Sequence, residues 1–344
     1  MDLAQLEAAI DAAGEPAFRV RQVWEWATRG VDDYAAMTNV PLSLRERLAR
    51  EVPFSTLTVV SQQESKDGTV KTLFHTVDGH PVEAVLMRYR DGRRSVCVSS
   101  QSGCPLTCTF CATGAMAFGR NLTPGEILDQ VLYFKRLEGV KAGAAEGLTN
   151  LVFMGMGEPF LNVDNVLAAA RRLPDLGITH RRTTISTVGW IPGLKQFVDE
   201  IDVPIRLALS VHAADPKLRS RLMPVNDRYP LEDVLELCRT HHELTNRRVY
   251  IEYVMLAGVN DAPEQARELA KLLGRTSFKV NLIPYNPTGS YGGSSRDTIA
   301  AFKAELDRAR VPATVRLTRG QDIAAACGQL ATAPRDRAQK AVAG

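Results

Sequence analysis

The chain has 344 residues, 45% of them hydrophobic, and a formal net charge of +3 from 42 Lys+Arg and 39 Asp+Glu. This composition is ordinary for a globular protein. No stretch approaches the roughly 18 uninterrupted apolar residues of a membrane span, and the acidic N-terminus is not typical of a secretion signal. We therefore expect a cytoplasmic protein that does not associate with a membrane.

The small positive charge says little about partners by itself. The basic residues are mostly arginines and often adjacent, as in Arg93-Arg94, Arg171-Arg172, Arg181-Arg182 and Arg247-Arg248. Guanidinium groups suit phosphate contacts, but such pairs at helix ends are more often simply solvated. Charge alone therefore leaves nucleic-acid binding open.

Residues 1–54 predict a small helical domain. Leu3, Leu6 and Ile10 have helical spacing, and Gly14 is a plausible stop. Two further helices are predicted, one through Val20, Val23 and Trp24 and one over 42–52. Residues 55–94 then predict a β-hairpin connector. Its strands at 56–60, 69–74 and 82–87 are separated by Asp-Gly turns at 67–68 and 78–79.

From residue 95 the pattern alternates between strands and helices. The predicted strands cover 95–100, 149–154, 183–187, 205–211, 249–255 and 278–283. The helices that follow them cover 123–137, 163–173, 192–200, 231–244, 262–273 and 295–310. The first helix begins with a capping box, Thr123-Pro124-Gly125-Glu126, and a seventh strand is predicted at 314–318.

Regular βα alternation implies a parallel sheet with right-handed connections. Six units are too few for a closed eight-fold barrel, so we predict an α/β fold with an open, partial (β/α)6 barrel over 95–332. A flexible polar tail is expected over 333–344. Because active sites of such barrels lie at the carboxyl ends of the strands, polar and cysteine residues after several strands should meet at one mouth.

The cysteine loop after the first barrel strand is the strongest chemical feature. Cys104, Cys108 and Cys111 follow the spacing Cys-x3-Cys-x2-Cys, and thiolates are soft ligands for zinc or iron–sulfur clusters. A structural zinc site needs four protein ligands, but neither Cys nor His occurs between Cys111 and His180. A four-iron cluster held by three cysteines instead leaves one iron open, as in the radical S-adenosylmethionine (SAM) superfamily, which this loop resembles. A zinc-bound or metal-free loop is the alternative.

Gly155-Met156-Gly157-Glu158 follows the second barrel strand. Glycines there let the backbone approach a ligand closely, and a carboxylate can accept from an ammonium group. Alone, this pattern indicates no more than a turn. Beside the cysteine loop, it resembles the superfamily's motif for the amino group of SAM.

Three cysteines lie outside the loop. Cys97 is inside a predicted strand, Cys238 has apolar neighbours, and Cys327 lies in a run of small residues. Taken by themselves, all three are best explained as buried packing.

Longer motifs connect these features to one family. The segments 97–104, 110–114, 154–159 and 322–330 resemble the RlmN/Cfr family of RNA adenine methyltransferases, and the likeness extends over about 15–332. The resemblance implies a [4Fe–4S] cluster on the three loop cysteines and two SAM molecules per turnover. It makes the domain at 1–54 an RNA-binding candidate.

The resemblance also implies roles for three residues. One SAM would methylate Cys327, and radical cleavage of a second would activate that S-methyl group for addition to an amidine carbon of adenine. Cys97 would then attack the adduct and leave a disulfide with Cys327, while Glu83 would remove the ring proton. The implied SAM contacts are Gly157, Glu158, Ser186, Ser210, Val211, His212 and Asn286. Taken alone, Glu83 would more often be an exposed carboxylate on a strand and His212 a structural histidine.

The target carbon is less clear from the sequence. Residues 319–323, Arg-Gly-Gln-Asp-Ile, resemble the branch that modifies carbon 2 of adenosine in 23S rRNA and often in tRNA. Residues 221–230 and 130–134 resemble the branch that modifies carbon 8 and confers antibiotic resistance. We favour carbon 2, and the resemblance suggests a monomer reduced by a flavodoxin-type donor. The alternatives from other classes are a radical SAM enzyme with a non-RNA substrate and a zinc-containing RNA-binding module without catalysis.

Overall fold

The computed structural model describes residues 1–142 and 147–331, apart from the side chains of 140–142. The predicted tail at 333–344 lies outside the described residues. The N-terminal region forms α1 (Leu3–Ala12), α2 (Phe18–Thr28) and α3 (Leu42–Glu51), so all three predicted helices are confirmed. Asp2 caps α1 by accepting from the N–H of Ala4 at 2.9 Å.

Ten strands form one sheet, in the order β1-β2-β3-β4-β7-β8-β9-β10-β11-β12. A small second sheet pairs β5 with β6. The strands are β1 (Leu57–Glu64), β2 (Val70–Thr76), β3 (Pro81–Arg88), β4 (Arg94–Val98), β5 (Gln101–Ser102), β6 (Arg120–Asn121), β7 (Asn150–Phe153), β8 (Thr183–Thr187), β9 (Arg206–Ser210), β10 (Val249–Met255), β11 (Phe278–Pro284) and β12 (Ala313–Val315).

Pairing changes from antiparallel to parallel at β4. Strands β1 to β4 pair antiparallel, whereas β4 and β7 to β12 pair parallel. The predicted α/β fold with a partial parallel barrel is confirmed. The connector strands extend the barrel sheet rather than form a separate layer, because β3 pairs directly with β4, for example Leu86 with Val96.

The helices of the barrel lie between successive parallel strands. They are α4 (Pro124–Ala142), α5 (Val163–Arg172), α6 (Ile191–Glu200), α7 (Pro216–Leu222), α8 (Leu231–Thr245), α9 (Pro263–Leu273) and α10 (Arg296–Arg308). The predicted capping box of α4 is present, since Thr123 and Glu126 each accept from the other's backbone N–H.

Three details differ from the sequence prediction. Helix α7 was not predicted, although Asp215 caps it by accepting from the N–H of Leu218 at 2.7 Å. Strand β4 ends at Val98, because the N–H groups of Ser100 and Gln101 donate to the carbonyl of Met156 instead of a strand partner. Strand β12 ends at Val315, so most of the predicted strand at 314–318 belongs to the following loop.

Apolar faces of the helices and strands enclose one main core. Leu6, Val23 and Leu48 of the N-terminal helices belong to the same buried cluster as Phe153 and Ile251 of the sheet. The N-terminal helices therefore pack on the barrel. In the part of the chain that the structure describes, every helix is too short or too polar to cross a bilayer.

We expect Gly193→Ala to destabilise the fold by about 1–3 kcal/mol. A Cβ at Gly193 would lie 2.1 Å from the carbonyl oxygen of Phe160, which follows the Gly155–Glu158 segment. Gly139 in α4 is a matched control, because a Cβ there meets no described heavy atom within 4 Å, and Gly139→Ala should stabilise by about 0.5–1 kcal/mol. Urea denaturation measures both effects, and equal effects would contradict this account.

Candidate active site

The three loop cysteines lie at the carboxyl edge of the parallel strands, as predicted. Cys104, Cys108 and Cys111 line one cavity of about 160 Å³. The loop is held from two sides. The N–H of Thr109 donates to the carbonyl of Leu222 at 3.0 Å, and the N–H of Ala112 donates to the carbonyl of Gly328 at 2.8 Å.

Burial keeps two of the loop cysteines, Cys104 and Cys108, protonated in the absence of a metal. It raises the pKa of the Cys104 thiol to about 12, and it also raises that of Cys108, with neighbouring cysteines adding to the effect. Within the described residues no three His, Cys, Asp or Glu side chains are grouped so as to hold a single metal ion. The loop nevertheless fits a four-iron cluster, because its thiols face a common space and a cluster distributes them over different iron atoms.

The segment from Gly155 to Glu158 forms another wall of this cavity. A Cβ at Gly155 would lie 2.7 Å from the Val98 carbonyl oxygen, and Gly157 has φ +96°. A side chain at Gly155 would clash with this oxygen, and a side chain at Gly157 would be strained at this backbone angle, so both positions require glycine. The two glycines therefore bring β7 against the end of β4 and point the segment into the cavity.

Glu158 is buried and lines the cavity. Its carboxylate accepts from the N–H groups of Phe160 at 3.0 Å and Val188 at 2.9 Å. Burial nevertheless raises its pKa to about 7, against the lowering effect of these hydrogen bonds. A cationic group of a ligand would favour the ionised form.

His212 is held as a neutral imidazole at the cavity wall. Its Nδ1 accepts from the N–H of Val254 at 3.0 Å, and its ring meets Phe110 edge-on at 4.6 Å between centroids. Burial, and then the charge of Arg219, lower its pKa to about 3. Because Nδ1 accepts, Nε2 carries the proton and is available as a donor.

Arg219 of α7 is a buried cation that the sequence analysis did not identify. Its guanidinium donates to the side-chain oxygen of Asn226 at 2.6 Å and to the backbone carbonyls of Val188 at 2.8 Å and Ser210 at 3.3 Å. Burial lowers its pKa to about 10, so it is charged at neutral pH. Through these hydrogen bonds, Arg219 connects the segment after β8 to the end of β9.

The other predicted SAM contacts divide into two groups. Ser186 and Ser210 line the cavity together with Gly157. Val211 and Asn286 do not line it. Val211 is fully buried, with its N–H donating to the carbonyl of Glu252, whereas Asn286 donates to the carbonyl of Cys327 at 3.1 Å.

A second, smaller cavity of about 30 Å³ lies beside the first. It is lined by Cys97, Asn286 and Cys327 among others, and Cys327 also lines the larger cavity. Burial, and then the proximity of Cys327, raise the pKa of the Cys97 thiol to about 12. Cys327 therefore faces both the loop cysteines and Cys97.

Arg316 and Glu252 complete this region, and neither was identified from the sequence. Arg316 lines both cavities, and its Nη1 lies 3.8 Å from Oε2 of Glu252. The proximity of Cys327 raises the pKa of Arg316. The sequence of β10 does not alternate between buried and exposed residues, because the residues next to Glu252 are also buried. The pattern therefore gives no indication that Glu252 belongs to the site.

Glu83 lies on β3 and lines neither cavity. It is only 4% exposed, so the alternative of an exposed strand carboxylate is wrong. Lys71 on β2 is its ion-pair partner, with Nζ 3.2 Å from Oε1.

All six cysteines are free in the structure. The disulfide that the family resemblance implies between Cys97 and Cys327 is therefore not a bond of this fold. Cys238 is fully buried in α8, which agrees with its interpretation as a core residue.

Two family models match the chain. That of the Radical SAM superfamily matches residues 98–272. That of the ribosomal RNA large subunit methyltransferase N-terminal domain matches residues 1–53.

Whole proteins and a solved structure are also similar. The probable dual-specificity RNA methyltransferase RlmN of Thermus thermophilus is 47% identical over 320 residues, which cover 91% of this chain and 89% of that protein. The dual-specificity RNA methyltransferase RlmN of Anaeromyxobacter dehalogenans is 44% identical, over 99% of this chain and 94% of that protein. A crystal structure of a radical SAM methyltransferase from Sphaerobacter thermophilus is 44% identical, with a TM-score of 0.89 over 96% of this chain and 97% of that one.

The chain belongs to the RlmN family. It is thus a radical SAM RNA methyltransferase, with a [4Fe–4S] cluster and SAM as its cofactors. The alternative of a zinc-containing module without catalysis is wrong. Membership in the RlmN family also explains why a loop with only three cysteines faces an open cavity.

We expect the neutral His212 to make the fold less stable in acid. Its folded-state pKa of about 3 lies below the ordinary value of 6.5, so between these values the unfolded chain binds a proton that the folded chain does not. The free energy of unfolding therefore falls as pH drops through this window. From pH 7.5 to 5.5 the loss due to this residue should be about 1.4 kcal/mol.

His212→Asn tests this expectation by urea denaturation at the two pH values, since asparagine tolerates the positive φ of 57° at this position. The variant should lose about 1.4 kcal/mol less than the parent protein. His75→Asn, at an exposed histidine of β2, is the control and should behave like the parent. Identical pH dependence of His212→Asn and the parent would refute the prediction.

Proposed function

We propose that this chain methylates carbon 2 of adenosine in 23S rRNA, and in tRNA, through an S-methylcysteine at Cys327. The observation that carries the proposal is the position of Cys327, which lines the cavity of the loop cysteines and also the cavity of Cys97. A methyl group carried on this sulfur would have access to both. Several similar proteins are named dual-specificity RNA methyltransferases, which supports RNA as the substrate.

Cys104, Cys108 and Cys111 are proposed to hold the cluster as thiolates. When bound, the cluster and SAM supply one-electron chemistry, which allows a methyl group to be added at a ring carbon that polar methyl transfer does not modify. The protein's contribution is to place Phe110 beside the three cysteines at the cavity wall and to connect the loop to the segment after Cys327 through the Ala112–Gly328 hydrogen bond.

Five of the seven SAM contacts that the family resemblance implies line the larger cavity. Glu158 offers a buried carboxylate for the amino group, and Gly157 leaves the backbone beside it accessible. Ser186 and Ser210 supply hydroxyl groups, and His212 supplies its Nε2 proton. We assign Val211 and Asn286 supporting positions, since one is fully buried and the other binds the Cys327 carbonyl.

Cys97 and Glu83 are proposed to complete the reaction on the other side of Cys327. The Cys97 thiol would lose its proton and attack the Cys327 sulfur of the RNA adduct, so that the S–S bond forms as the bond from that sulfur to the methylene carbon breaks. The methylene carbon would keep the electron pair and take up a proton, which releases the methylated base, and a two-electron reductant such as a dithiol would return the transient disulfide to two thiols. Glu83 would take up the ring proton. Both residues are buried on neighbouring strands of the same sheet.

Carbon 2 is favoured over carbon 8 by the Arg319–Ile323 sequence, Arg-Gly-Gln-Asp-Ile. The proposal includes RNA contacts from the helical domain at 1–54, a monomeric enzyme and a flavodoxin-type electron donor. It also places the enzyme in the cytoplasm, together with its RNA substrates.

The product of the reaction tests this assignment. Anaerobically reconstituted protein is incubated with unmethylated large-subunit RNA, SAM and a reductant, and the digested RNA is compared with methyladenosine standards by mass spectrometry. We expect 2-methyladenosine. A peak of 8-methyladenosine would instead make this a resistance-type enzyme, and formation of 5′-deoxyadenosine without methylated RNA would refute the RNA substrate.

Replacing Cys327 with alanine should abolish RNA methylation, at least a hundredfold, while iron content and SAM cleavage are retained. The reason is that the variant lacks the sulfur that carries the methyl group but keeps the loop cysteines. Cys238→Ala, at a core cysteine in α8, is the matched control and should methylate RNA normally. Full methylation by Cys327→Ala would rule out the methyl-carrier role.

A further inference from the structure

Lys71 makes two contacts that connect separate parts of the proposed site. Its Nζ lies 3.2 Å from Oε1 of Glu83 on the neighbouring strand. The same Nζ donates to the carbonyl oxygen of Ala324 at 3.4 Å. Ala324 precedes Cys327 by three residues, so one ammonium group contacts both the carboxylate and the loop that carries the cysteine.

The ammonium group of Lys71 favours the ionised form of the Glu83 carboxyl. Burial raises the pKa of the Glu83 carboxyl, and the charge and hydrogen bond of Lys71 oppose the shift, with a smaller contribution from the backbone of Ala331. Its Oε2 is buried and has no hydrogen-bond partner of normal length among residues 1–142 and 147–331. A buried carboxylate oxygen without a hydrogen-bond partner lowers the stability of the fold, and such atoms call for an explanation such as a catalytic role.

The other ionisable groups near this carboxylate can be identified from strand register. Glu83 pairs with Leu73 on β2, and Val85 pairs with Cys97 on β4. Because side chains alternate between the faces of a strand, Lys71, His75 and Cys97 share the face of Glu83. Cys97 is uncharged at neutral pH, and His75 is exposed near the far end of β2. Lys71 is thus the cation paired with Glu83.

The loop that carries Cys327 contains three residues with positive φ, among them Gly328 at +82°, and is held by side chains from several elements. Gly320 and Ala324 have φ +65° and +51°. Ser65 donates to the Asp322 carboxylate at 2.5 Å, and Asn286 donates to the Cys327 carbonyl at 3.1 Å. Lys71 differs from these two anchors because it also contacts Glu83.

We propose that Lys71 is a positioning residue that keeps the Glu83 carboxylate ionised and anchors the Cys327 loop beside it. The inference rests on the proposed function and adds a residue to it. In the proton-transfer step, the ring C–H bond breaks, its proton goes to the Glu83 carboxylate and its electron pair remains on the ring. Without the ammonium group, burial would raise the pKa of this carboxyl further, so that less of it would be ionised and ready to accept that proton.

The test uses the full, cluster-loaded chain with RNA, SAM and reductant, and compares Lys71→Met, Lys71→Arg and Lys66→Met. Lys66 is an exposed lysine in the β1–β2 turn and serves as the matched control. Three quantities are measured over a range of pH: methylation of Cys327, the covalent protein–RNA adduct and the release of methylated RNA. The alkylation rate of Cys327 in the resting protein is measured separately by peptide mass spectrometry.

Lys71→Met should still methylate Cys327 and form the adduct, but release product at least tenfold more slowly at pH 7. Its release should recover at higher pH, with a midpoint raised by about one unit or more, because loss of an opposite charge raises a carboxyl pKa. Cys327 should also be alkylated faster in this variant. Lys71→Arg should restore release, and Lys66→Met should match the parent protein.

An unchanged pH profile in Lys71→Met, or an equally defective Lys71→Arg, would overturn the role in ionisation. An unchanged alkylation rate would overturn the role in anchoring. If the parent protein itself forms neither adduct nor methylated RNA, the proposed function fails instead. The alkylation rates of the resting variants still decide the anchoring role in that case.

Discussion

Parallel pairing of β4 and of β7 to β12 is the constraint on which the rest of this site depends. In a parallel sheet all strands end at the same edge, so residues far apart in sequence meet there. Glu158 after β7, Ser186 in β8, Ser210 in β9 and the loop after β4 all face one cavity for this reason. The antiparallel strands β1 to β3 extend the same sheet and bring Glu83 and Lys71 to its side.

The second requirement is that the C-terminal loop returns across this edge. The carbonyl of Gly328 accepts from the N–H of Ala112, and the carbonyl of Leu330 accepts from the hydroxyl of Thr113 at 2.7 Å. These bonds place the Cys327 loop directly against the cysteine loop. As a result, one residue, Cys327, lines both cavities.

Burial determines the charges at the site. The interior raises the pKa of Glu158 and Cys97 and lowers that of His212, which in each case favours the uncharged form. The buried cation Arg219 and the partly buried Lys71 oppose this tendency locally, since Arg219 binds carbonyl oxygens and Lys71 pairs with Glu83. Burial therefore suppresses the charge of Cys97 and His212, whereas Arg219 remains charged.

Much of this organisation could be predicted from the sequence. Alternating apolar segments and capping residues are local properties, so the strands, most of the helices and the capping box at Thr123 follow from short-range patterns. The spacing of Cys104, Cys108 and Cys111 is equally local. The roles of Cys97 and Cys327 came instead from family resemblance, because an apolar strand and a run of small residues are typical of ordinary packing.

Other features were decided only by tertiary structure. The sequence does not show that Arg219 is buried against carbonyl groups, that Arg316 borders both cavities or that Lys71 joins Glu83 to the Cys327 loop. Each of these depends on contacts between segments separated by tens to hundreds of residues. Short-range patterns therefore determined which elements form, whereas burial and long-range hydrogen bonds decided which polar groups are charged, paired and brought together.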